Sequence, residues 1–378
     1  MACDMSTNEL SGYADFEWAV QLNRFSLKMI GLWPKETGSS QEKLFSNLRF
    51  SCVIIVITCV CTTPSLYLLL KVWGDMMAMI DNILFTLPLL SLTMKLFIMW
   101  WKKETLSSLM TMIVHDWVKS KSRDERDIMM RRAQDARLII TFSYIVMGLS
   151  LTILIVTSIF GYTLSPQFEL TFFIQCITLL MVALSYTGTD NFLGLLIFHI
   201  CGQLENLTNR LYRMRKSTNF IAALRNNVMD HIRLIRSVAM IEDTFTLTLL
   251  QLFLYFGIMF CIYGFLVVTV IFEEKNVSLK RVIFLILVIC TAFTHMCLYC
   301  AAGELLVMKY EKVYNAVCEC KWYTLETAEA KSLIFLLLRT NKPLYITAGK
   351  ILPMTMSTFC SILKTSGGYI SVLLANRN

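Results

Sequence analysis

Charged residues are scarce in this chain. Asp, Glu, Lys and Arg make up 16% of its 378 residues, whereas apolar residues make up 56%. The mean hydropathy is correspondingly high, at +0.59. A water-soluble domain of this size keeps far more charge on its surface. The composition therefore indicates that lipid surrounds much of the chain.

The sequence also lacks the residue patterns of an enzyme. Its four histidines are His115, His199, His231 and His295. No H-E-x-x-H, Gly-rich phosphate loop, G-x-S-x-G or paired-carboxylate arrangement accompanies them. None of the 13 cysteines lies in a predicted outer loop, which argues against an extracellular disulfide framework. Cys318-x-Cys320 has no second pair to complete a metal site. We therefore predict no enzymatic activity, no bound metal and no cofactor.

Long apolar runs take the place of these patterns. A helix needs roughly 20 apolar residues to cross the hydrocarbon core of a bilayer, whereas the strands of a membrane barrel alternate apolar and polar residues. The runs that reach this length cover residues 50–70, 76–100, 138–168, 170–204, 244–272 and 282–303. A weaker seventh run covers residues 344–374. The pattern predicts seven transmembrane helices.

The basic residues predict the orientation of these helices. The first 49 residues lack the apolar stretch of a signal peptide, so we expect them to stay in the cytosol. With that orientation, 27 of the 35 Lys and Arg residues lie in cytosolic segments and five lie outside, as the positive-inside rule requires. The basic residues of the cytosolic segments then account for the net charge of +8, and this charge does not imply a nucleic-acid partner.

The predicted fold is an all-α membrane protein with a cytosolic N-terminus and an extracellular C-terminus. We predict one domain, 1–378, with a cytosolic N-terminal segment at 1–49, helical extensions into the cytosol at 203–243 and 304–342, and a last helix at 344–374. The N-terminal segment carries an apolar stripe at helical spacing, formed by Trp18, Leu22, Phe25, Met29 and Leu32. We expect this stripe to pack on the bundle or to lie at the membrane interface. Asn276-Val277-Ser278 is a glycosylation acceptor pattern in a predicted outer loop.

Polar residues interrupt the fourth run. They are Ser185, Tyr186, Thr187, Thr189, Asp190 and Asn191. A carboxylate at this depth is costly in lipid, so Asp190 should face the bundle interior or water. Pairing with a neighbouring helix and a direct functional role are both open.

The seventh run has one face of small and hydroxyl-bearing residues, spaced by three and four. This face consists of Thr358, Ser361, Thr365, Gly368 and Val372. Phe359, Ile362, Leu363, Ile370 and Leu373 lie on the opposite face. The pattern fits a water-lined path and equally a seam of close helix packing. Lys350 and Lys364 lie near this face, and we expect them to be paired or turned towards the inner and interhelical surfaces.

The last 180 residues contain a series of short motifs in a fixed order. They are 199–204 (HICGQL), 241–243 (IED), 299–304 (YCAAGE), 321–323 (KWY), Arg339, 347–350 (TAGK), 361–366 (SILKTS) and 369–373 (YISVL). Together these motifs resemble those of the insect odorant receptors. Members of that family have seven spans, a cytosolic N-terminus and a pore lined by the last helix. They form tetrameric ligand-gated cation channels in which a divergent odorant-binding subunit joins a shared coreceptor.

The resemblance implies specific roles for this chain. Ala375 and Asn376 depart from the closing residues of the coreceptor, so the chain resembles an odorant-binding subunit in the plasma membrane of an olfactory neuron. Its partners would be the coreceptor in a hetero-tetramer, membrane lipid and a small apolar volatile. The polar face of the last helix would line the pore, and Val372 matches the apolar gate. Gly367-Gly368 stands where the family often has bulkier residues.

We place the ligand pocket in the outer half of the bundle, between the second, third, fourth and sixth spans. The outer halves of these spans are rich in aromatic and aliphatic residues, which suit an apolar ligand. The residues predicted to line the pocket are Phe85, Ile155, Ile159, Phe173, Ile177 and Phe284. The alternative is a gustatory-type receptor channel, although the usual T-Y-x5-Q-F ending is missing. A G-protein-coupled receptor would need the opposite orientation and lacks the D-R-Y and N-P-x-x-Y motifs.

Overall fold

The computed structural model describes residues 7–34, 39–119, 121–159, 166–214, 219–273, 279–320 and 326–375. Nearly all of them are helical. The helices are α1 (Thr7–Met29), α2 (Ser40–Val56), α3 (Thr63–Lys71), α4 (Met76–Trp101), α5 (Lys103–Val118), α6 (Arg123–Ile159), α7 (Pro166–Met214), α8 (Phe220–Glu273), α9 (Leu279–Cys318), α10 (Thr327–Thr340) and α11 (Met356–Ala375). A π-helical segment, Ile57–Thr62, joins α2 to α3. Two short antiparallel strands, β1 (Thr347–Ala348) and β2 (Leu352–Pro353), precede α11.

Six of the described helical segments are long and apolar enough to cross a membrane. They cover Ser40–Lys71, Ala78–Trp101, Arg123–Ile153, Phe172–Met214, Phe220–Leu266 and Val288–Cys318. Each overlaps one of the six long apolar runs, which confirms that the described residues of those runs are helical. The seventh predicted span corresponds to α11, whose 20 residues extend about 30 Å at the rise of an α-helix.

The last helix begins later than the apolar pattern predicts. The prediction started this helix near Leu344, but residues 347–353 form a hairpin instead. At its turn Gly349 and Lys350 adopt positive φ values of 63° and 60°, a conformation that a right-handed α-helix does not contain. The helix therefore starts only at Met356.

Ion pairs establish the relative directions of the helices. Arg132, near the start of α6, lies 2.8 Å from Glu205, near the end of α7, so these two helices are antiparallel. Lys309, in the second half of α9, lies 2.7 Å from the same carboxylate, so α7 and α9 run parallel. Such alternation is expected of helices that cross a membrane in turn. We call the end of the bundle with these ion pairs the inner end; it is the end predicted to be cytosolic.

The N-terminal segment forms a helix, but it buries a different face from the predicted stripe. Its buried side chains include Phe16, Ala19, Val20, Asn23 and Leu27. Trp18, Phe25 and Met29 are exposed, so packing of the stripe on the bundle is wrong for these three residues. The reason is the close approach of α1 to α7, where the Asn23 amide donates a hydrogen bond to the Asn191 carbonyl. For the three exposed residues, a place at the membrane interface stays a prediction.

Buried charges hold the helices together at the inner end. Asp116 of α5 contacts Arg233 of α8, and its Oδ2 lies 3.1 Å from Nε2 of His199 on α7. Burial would raise the pKa of the Asp116 carboxyl, but the hydrogen bond with His199 and the charge of Arg233 outweigh it and keep this pKa below its usual range. Burial lowers the pKa of Lys121, next to α5, to about 8. The contacts of Asp116 thus link α5, α7 and α8 at the inner end.

Candidate ligand-binding cavity and last helix

A cavity of about 540 Å³ lies between α4, α6, α7 and α9. These helices contain the second, third, fourth and sixth apolar runs, the four between which we predicted a ligand pocket. The apolar part of the wall includes Pro88, Leu89, Phe142, Val146, Met147, Val182, Ala183 and Leu298. Ligand pockets typically measure about 300–1,000 Å³ and are mostly apolar with a few polar groups. The cavity is therefore suited to one small organic molecule.

A second cavity of about 300 Å³ adjoins the first on the side towards the inner end. Both are lined by Ser143, Asp190, Asn191, His295 and Leu298. Polar groups therefore mark the boundary between the two cavities, and they form the inner end of the larger one.

Three ionisable side chains meet at this boundary. Asp190 of α7 forms an ion pair with Lys95 of α4, and its Oδ2 lies 2.8 Å from Nε2 of His295 on α9. The side chains of Lys95 and Asp190 are only 2% and 7% exposed, whereas that of His295 is 33% exposed. The Lys95–Asp190–His295 cluster thus links three helices within the bundle. A buried charge without a partner would be strongly unfavourable, and here the charges are paired.

Aromatic rings surround the cluster. The Lys95 ammonium lies 4.4 Å from the centre of the Tyr186 ring, a distance typical of a cation–π contact. Tyr186 also meets the His295 ring edge-on, with centroids 5.4 Å apart. On the other side His295 stacks on Tyr299 with centroids 5.7 Å apart. These rings hold the imidazole in one orientation at the cavity wall.

The six residues predicted to line the pocket lie nearer the outer end than the cavity does. Phe85, Phe173 and Ile177 are exposed, and Ile155 is half-buried; none of these four lines the cavity. The side chains of Ile159 and Phe284 lie outside the described part of the structure. The cavity begins about one turn further in on α4 and one to two turns further in on α6 and α7. The structure thus places the cavity between the predicted helices but at a different depth.

The polar patch of the fourth run was the better signal for the cavity. Tyr186, Thr187, Asp190 and Asn191 all line it. Of the two readings of Asp190, the structure shows pairing with a neighbouring helix, and the same residue also reaches the cavity. Polar residues at membrane depth indicate a site because lipid offers them no hydrogen-bond partners.

Among the described residues, no group of three or more His, Cys, Asp or Glu side chains is arranged to hold a metal ion.

The polar face of α11 points away from the rest of the chain. Ser361, Thr365, Gly368 and Val372 are exposed, and Thr358, at the helix start, donates a hydrogen bond to the Pro353 carbonyl. The opposite face packs on the bundle. Phe359 is 3% exposed and meets Phe293 of α9 with ring centroids 4.9 Å apart, while Ile362 and Leu363 pack against the core. The polar face is therefore not a packing seam within this chain.

The two lysines near this face differ in their surroundings. Lys350 lies in the hairpin turn, outside α11, and its backbone N–H donates to Thr246 Oγ1. Lys364 lies on α11 and is exposed, and no residue in the described part of the chain forms an ion pair with it. Of the two arrangements expected for Lys364, pairing is not found within the described part of the chain, and an orientation towards the inner and interhelical surfaces stays a prediction.

The motifs around α11 fix its start against α8 and α9. Glu304 of α9 accepts a hydrogen bond from the Met356 backbone N–H, which satisfies a free donor in the first turn of α11. Gly303 lets the chain approach closely, because a Cβ there would meet the Met354 carbonyl oxygen at 2.1 Å. The Thr347 hydroxyl donates to the Glu242 carboxylate of α8.

The glycosylation pattern at Asn276 lies outside the described residues.

Comparison with known proteins identifies the family. The family model described as 7tm odorant receptor matches residues 75–367, which is well over half of the chain. The chain therefore belongs to the odorant receptor family, a family of multi-pass membrane receptors rather than enzymes. This assignment favours the odorant receptor prediction over the gustatory and G-protein-coupled alternatives.

Curated relatives support the assignment at low identity. Odorant receptor 13a of Drosophila melanogaster is 26% identical over 202 residues, which are 49% of this chain and 47% of the relative. Odorant receptor 10 of Aedes albopictus is 28% identical over 222 residues, 56% of each chain. The match thus spans about half the length of these two relatives. Odorant receptor Or2 of Anopheles gambiae is 22% identical over 358 residues, 87% of this chain and 92% of the relative.

A solved structure shares the fold. The insect olfactory receptor OR5 from Machilis hrabei, in complex with eugenol, matches with a TM-score of 0.79 over 97% of this chain and 99% of that one. The sequence identity is 16%, so the likeness establishes the fold alone. A second structure of the same receptor gives the same TM-score. The fold of this chain is that of an insect olfactory receptor.

Proposed function

We propose that this chain is the odorant-binding subunit of a ligand-gated, non-selective cation channel. In this proposal it assembles with the shared coreceptor as a hetero-tetramer in the plasma membrane of olfactory sensory neurons. A small volatile molecule binds in the 540 Å³ cavity between α4, α6, α7 and α9. The polar face of α11 lines part of the ion path, and Val372 narrows it near the outer end.

The cavity is the observation that carries this proposal. The cavity is mostly apolar and lies between helices that cross the membrane. Its volume is suitable for one small organic molecule. Burial of apolar ligand surface there contributes about 25 cal/mol per Å², so the shape of the wall has a strong influence on selectivity. The likeness to a receptor solved in complex with eugenol supports a volatile ligand of similar size.

The exposed face of α11 supports the channel part. The hydroxyls of Ser361 and Thr365 donate to backbone carbonyls of α11 and keep lone pairs that water can use but lipid cannot. Such a face suits contact with water or with the same helix of neighbouring subunits. An apolar side chain near the end of this face closes a pore by excluding water, without a charged plug.

We expect odorant-evoked currents only when the chain is expressed together with the coreceptor. Cells that express the chain alone, the coreceptor alone or both are tested with one panel of volatiles by whole-cell recording. The combined cells should respond to volatiles that the coreceptor alone ignores. Robust currents from the chain alone would contradict its assignment as a subunit that depends on the coreceptor.

Filling the cavity should abolish most of the odorant response. Ala183 lines the cavity, and Ala183→Phe places a large ring in it, so a ligand and the ring cannot occupy the same volume. The odorant concentration for half-maximal current should rise by tenfold or more, a factor of ten corresponding to about 1.4 kcal/mol of binding energy.

Two controls accompany this variant. Currents evoked by a coreceptor agonist should stay normal in Ala183→Phe, which shows that the channel still assembles. Phe173→Ala, at an exposed position of the same helix, tests the shallower pocket predicted from the apolar pattern. A large loss of sensitivity in Phe173→Ala with none in Ala183→Phe would place the ligand near the outer end instead.

A further inference from the structure

The N-terminal helix α1 reaches the depth of the larger cavity and packs against the back of its wall. Gly188 of α7 lies two residues from Asp190, which lines the cavity, and residues with this spacing point to nearly opposite sides of an α-helix. A Cβ at Gly188 would lie 2.8 Å from the hydroxyl oxygen and 3.0 Å from the Cβ of Ser26 on α1. Ser26 is completely buried. The two helices therefore approach closely on the side of α7 that faces away from Asp190.

Two further pairs of residues extend this approach. The Asn23 amide of α1 donates a hydrogen bond to the Asn191 carbonyl of α7 at 3.3 Å. Just after α1, the Trp33 ring meets the Phe192 ring of α7 edge-on with centroids 6.3 Å apart, within the range of favourable aromatic contacts. Asn23 and Phe192 are completely buried. We call the contacts of Asn23, Ser26 and Trp33 with α7 the α1–α7 contact.

The helix α1 is held in place on both sides of this contact. Near its start, a Cβ at Gly12 would meet a backbone carbonyl oxygen of α5 at 2.4 Å, and Asp15 forms an ion pair with Arg126 of α6 at 2.6 Å. Just after its end, the Gly31 carbonyl accepts a hydrogen bond from the Ser46 hydroxyl of α2 at 2.8 Å. The helix α7, in contrast, has the cavity on its far side. A displacement at the α1–α7 contact is therefore taken up more readily by α7 than by α1.

The side of α7 that faces the cavity forms one continuous part of the wall. It includes Val182, Ala183, Tyr186, Thr187, Asp190 and Asn191, which span more than two turns. A ligand in contact with this wall is sensitive to displacements of about 0.5–1 Å, because dispersion contacts weaken over that distance and overlap is repulsive. The position of α7 therefore has a direct effect on the width of the cavity.

We propose that the α1–α7 contact sets the size of the odorant that the cavity accepts. Asn23, Ser26 and Gly188 act as positioning residues. None of the three lines the cavity, but together they fix the distance of α7 from α1 and thereby the width of the cavity. The N-terminal helix is thus a part of ligand recognition as well as of the fold. This inference rests on the proposed function, because it requires the odorant to bind in this cavity.

Gly188→Ala tests the α1–α7 contact, because the added methyl group has no space beside Ser26 and should push α7 towards the cavity. The variant is expressed with the coreceptor. The probes are short- and long-chain members of homologous series of aliphatic alcohols, ketones, esters and alkylbenzenes. The concentration for half-maximal current should rise by about tenfold for the longest members that activate the wild type, as expected when a methyl group is forced into filled space. For the shortest active members it should rise by less than about threefold.

A second substitution assigns this effect to α1. Ser26→Gly removes both atoms that the new methyl group would meet. Gly188→Ala/Ser26→Gly should therefore return the ratio of long-chain to short-chain potency to within about twofold of the wild type. Ser26→Ala removes only the hydroxyl and leaves the Cβ at 3.0 Å, so Gly188→Ala/Ser26→Ala should keep most of the altered ratio. Rescue by the smaller residue alone is not expected if Gly188 only stabilises the fold.

A matched glycine provides the control. Gly148 lies on α6, which also forms part of the cavity wall, and a Cβ there would meet no other element of the described chain within 4 Å. Gly148→Ala should leave the potencies of long and short probes unchanged. Currents evoked by a coreceptor agonist should stay normal in all of these variants, which shows that the channel assembles and opens.

Three results would overturn the inference. They are no loss of potency in Gly188→Ala, an equal loss for long and short probes, and no rescue by Ser26→Gly. If Gly188→Ala does not reach the cell surface, Ser26→Val enlarges the same contact from the α1 side, and the ratio of long-chain to short-chain potency decides the question there. If no volatile of any class evokes current from the unmodified chain, while the coreceptor agonist still does, the proposed function itself fails.

Discussion

Replacing Asp190 by asparagine is expected to destabilise the protein by about 3–5 kcal/mol, the range measured when one partner of a buried ion pair is removed. Lys95 is 1% exposed and would be left with a neutral amide and the face of Tyr186. Neither replaces a carboxylate, and an uncompensated ammonium in a low-dielectric interior is costly. The measurements are thermal unfolding of the detergent-solubilised protein and labelling of the receptor at the cell surface. Both should show a large loss for Asp190→Asn.

The geometry predicts an asymmetry between the two partners. In Lys95→Met the carboxylate of Asp190 keeps a neighbour, because His295 Nε2 remains 2.8 Å away and the imidazole can take up a proton. Lys95→Met should therefore cost less than Asp190→Asn. The double variant Lys95→Met/Asp190→Asn contains no buried charge and should recover most of the stability that Asp190→Asn loses, since replacing a whole buried pair is often nearly neutral.

An exposed ion pair of the same chemistry serves as the control. Lys102 and Asp243 lie 2.6 Å apart, and the Asp243 side chain is 54% exposed. Asp243→Asn should change stability by less than about 1 kcal/mol, because water screens such a pair. If Asp190→Asn were as mild as Asp243→Asn, or if the double variant were the least stable of the set, the cluster would not be the buried, charged unit that the structure shows.

The fold could largely be predicted from the sequence because the bilayer imposes a length on every span. A run of about 20 apolar residues is visible without knowledge of its neighbours, and all six long runs are helical over their described residues. The start of the last helix could not be found in this way. Residues around Gly349 and Lys350 are apolar enough on average to continue the run, and the turn they form depends on contacts with Thr246 of α8, which no local pattern encodes.

The site was only partly predictable for a related reason. The identity of the four helices around the cavity could be predicted from the sequence. The depth of the cavity could not, because it depends on how the side chains of the four helices pack against one another. Phe85 and Phe173 are aromatic, as residues that line ligand pockets often are, and yet they are exposed. Aromatic residues on an exposed helix face pack equally well against lipid or a neighbouring subunit. Asp190 and its polar neighbours indicate the depth of the cavity better, because polar side chains are unfavourable in contact with lipid and therefore face the interior of the bundle. The face of α1 was misjudged in the same way. Trp18, Phe25 and Met29 face outwards, whereas the opposite face, which includes Asn23 and Ser26, approaches α7.

Labelling of cysteines along α11 is expected to block most of the odorant-evoked current at one face of the helix and to spare the other. The reagent is a water-soluble, charged thiol reagent applied during odorant exposure. Ser361→Cys, Thr365→Cys, Gly368→Cys and Val372→Cys place the thiol on the exposed face. If this face lines the ion path, a bulky charged adduct there obstructs the path or repels the permeating cations.

The natural cysteine at position 360 has to be removed first. Cys360 is an exposed free thiol on the same helix, so the variants are built on Cys360→Ser, which by itself should respond normally before and after the reagent. Phe359→Cys and Ser366→Cys are the matched negative controls, because these side chains are 3% and 5% exposed and face the bundle. Block at positions 359 and 366 with none at 361, 365, 368 and 372 would mean that the exposed face of α11 contacts lipid or another subunit. The pore would then be formed by other elements, since a water-filled path has to be accessible to a water-soluble reagent along its whole lining.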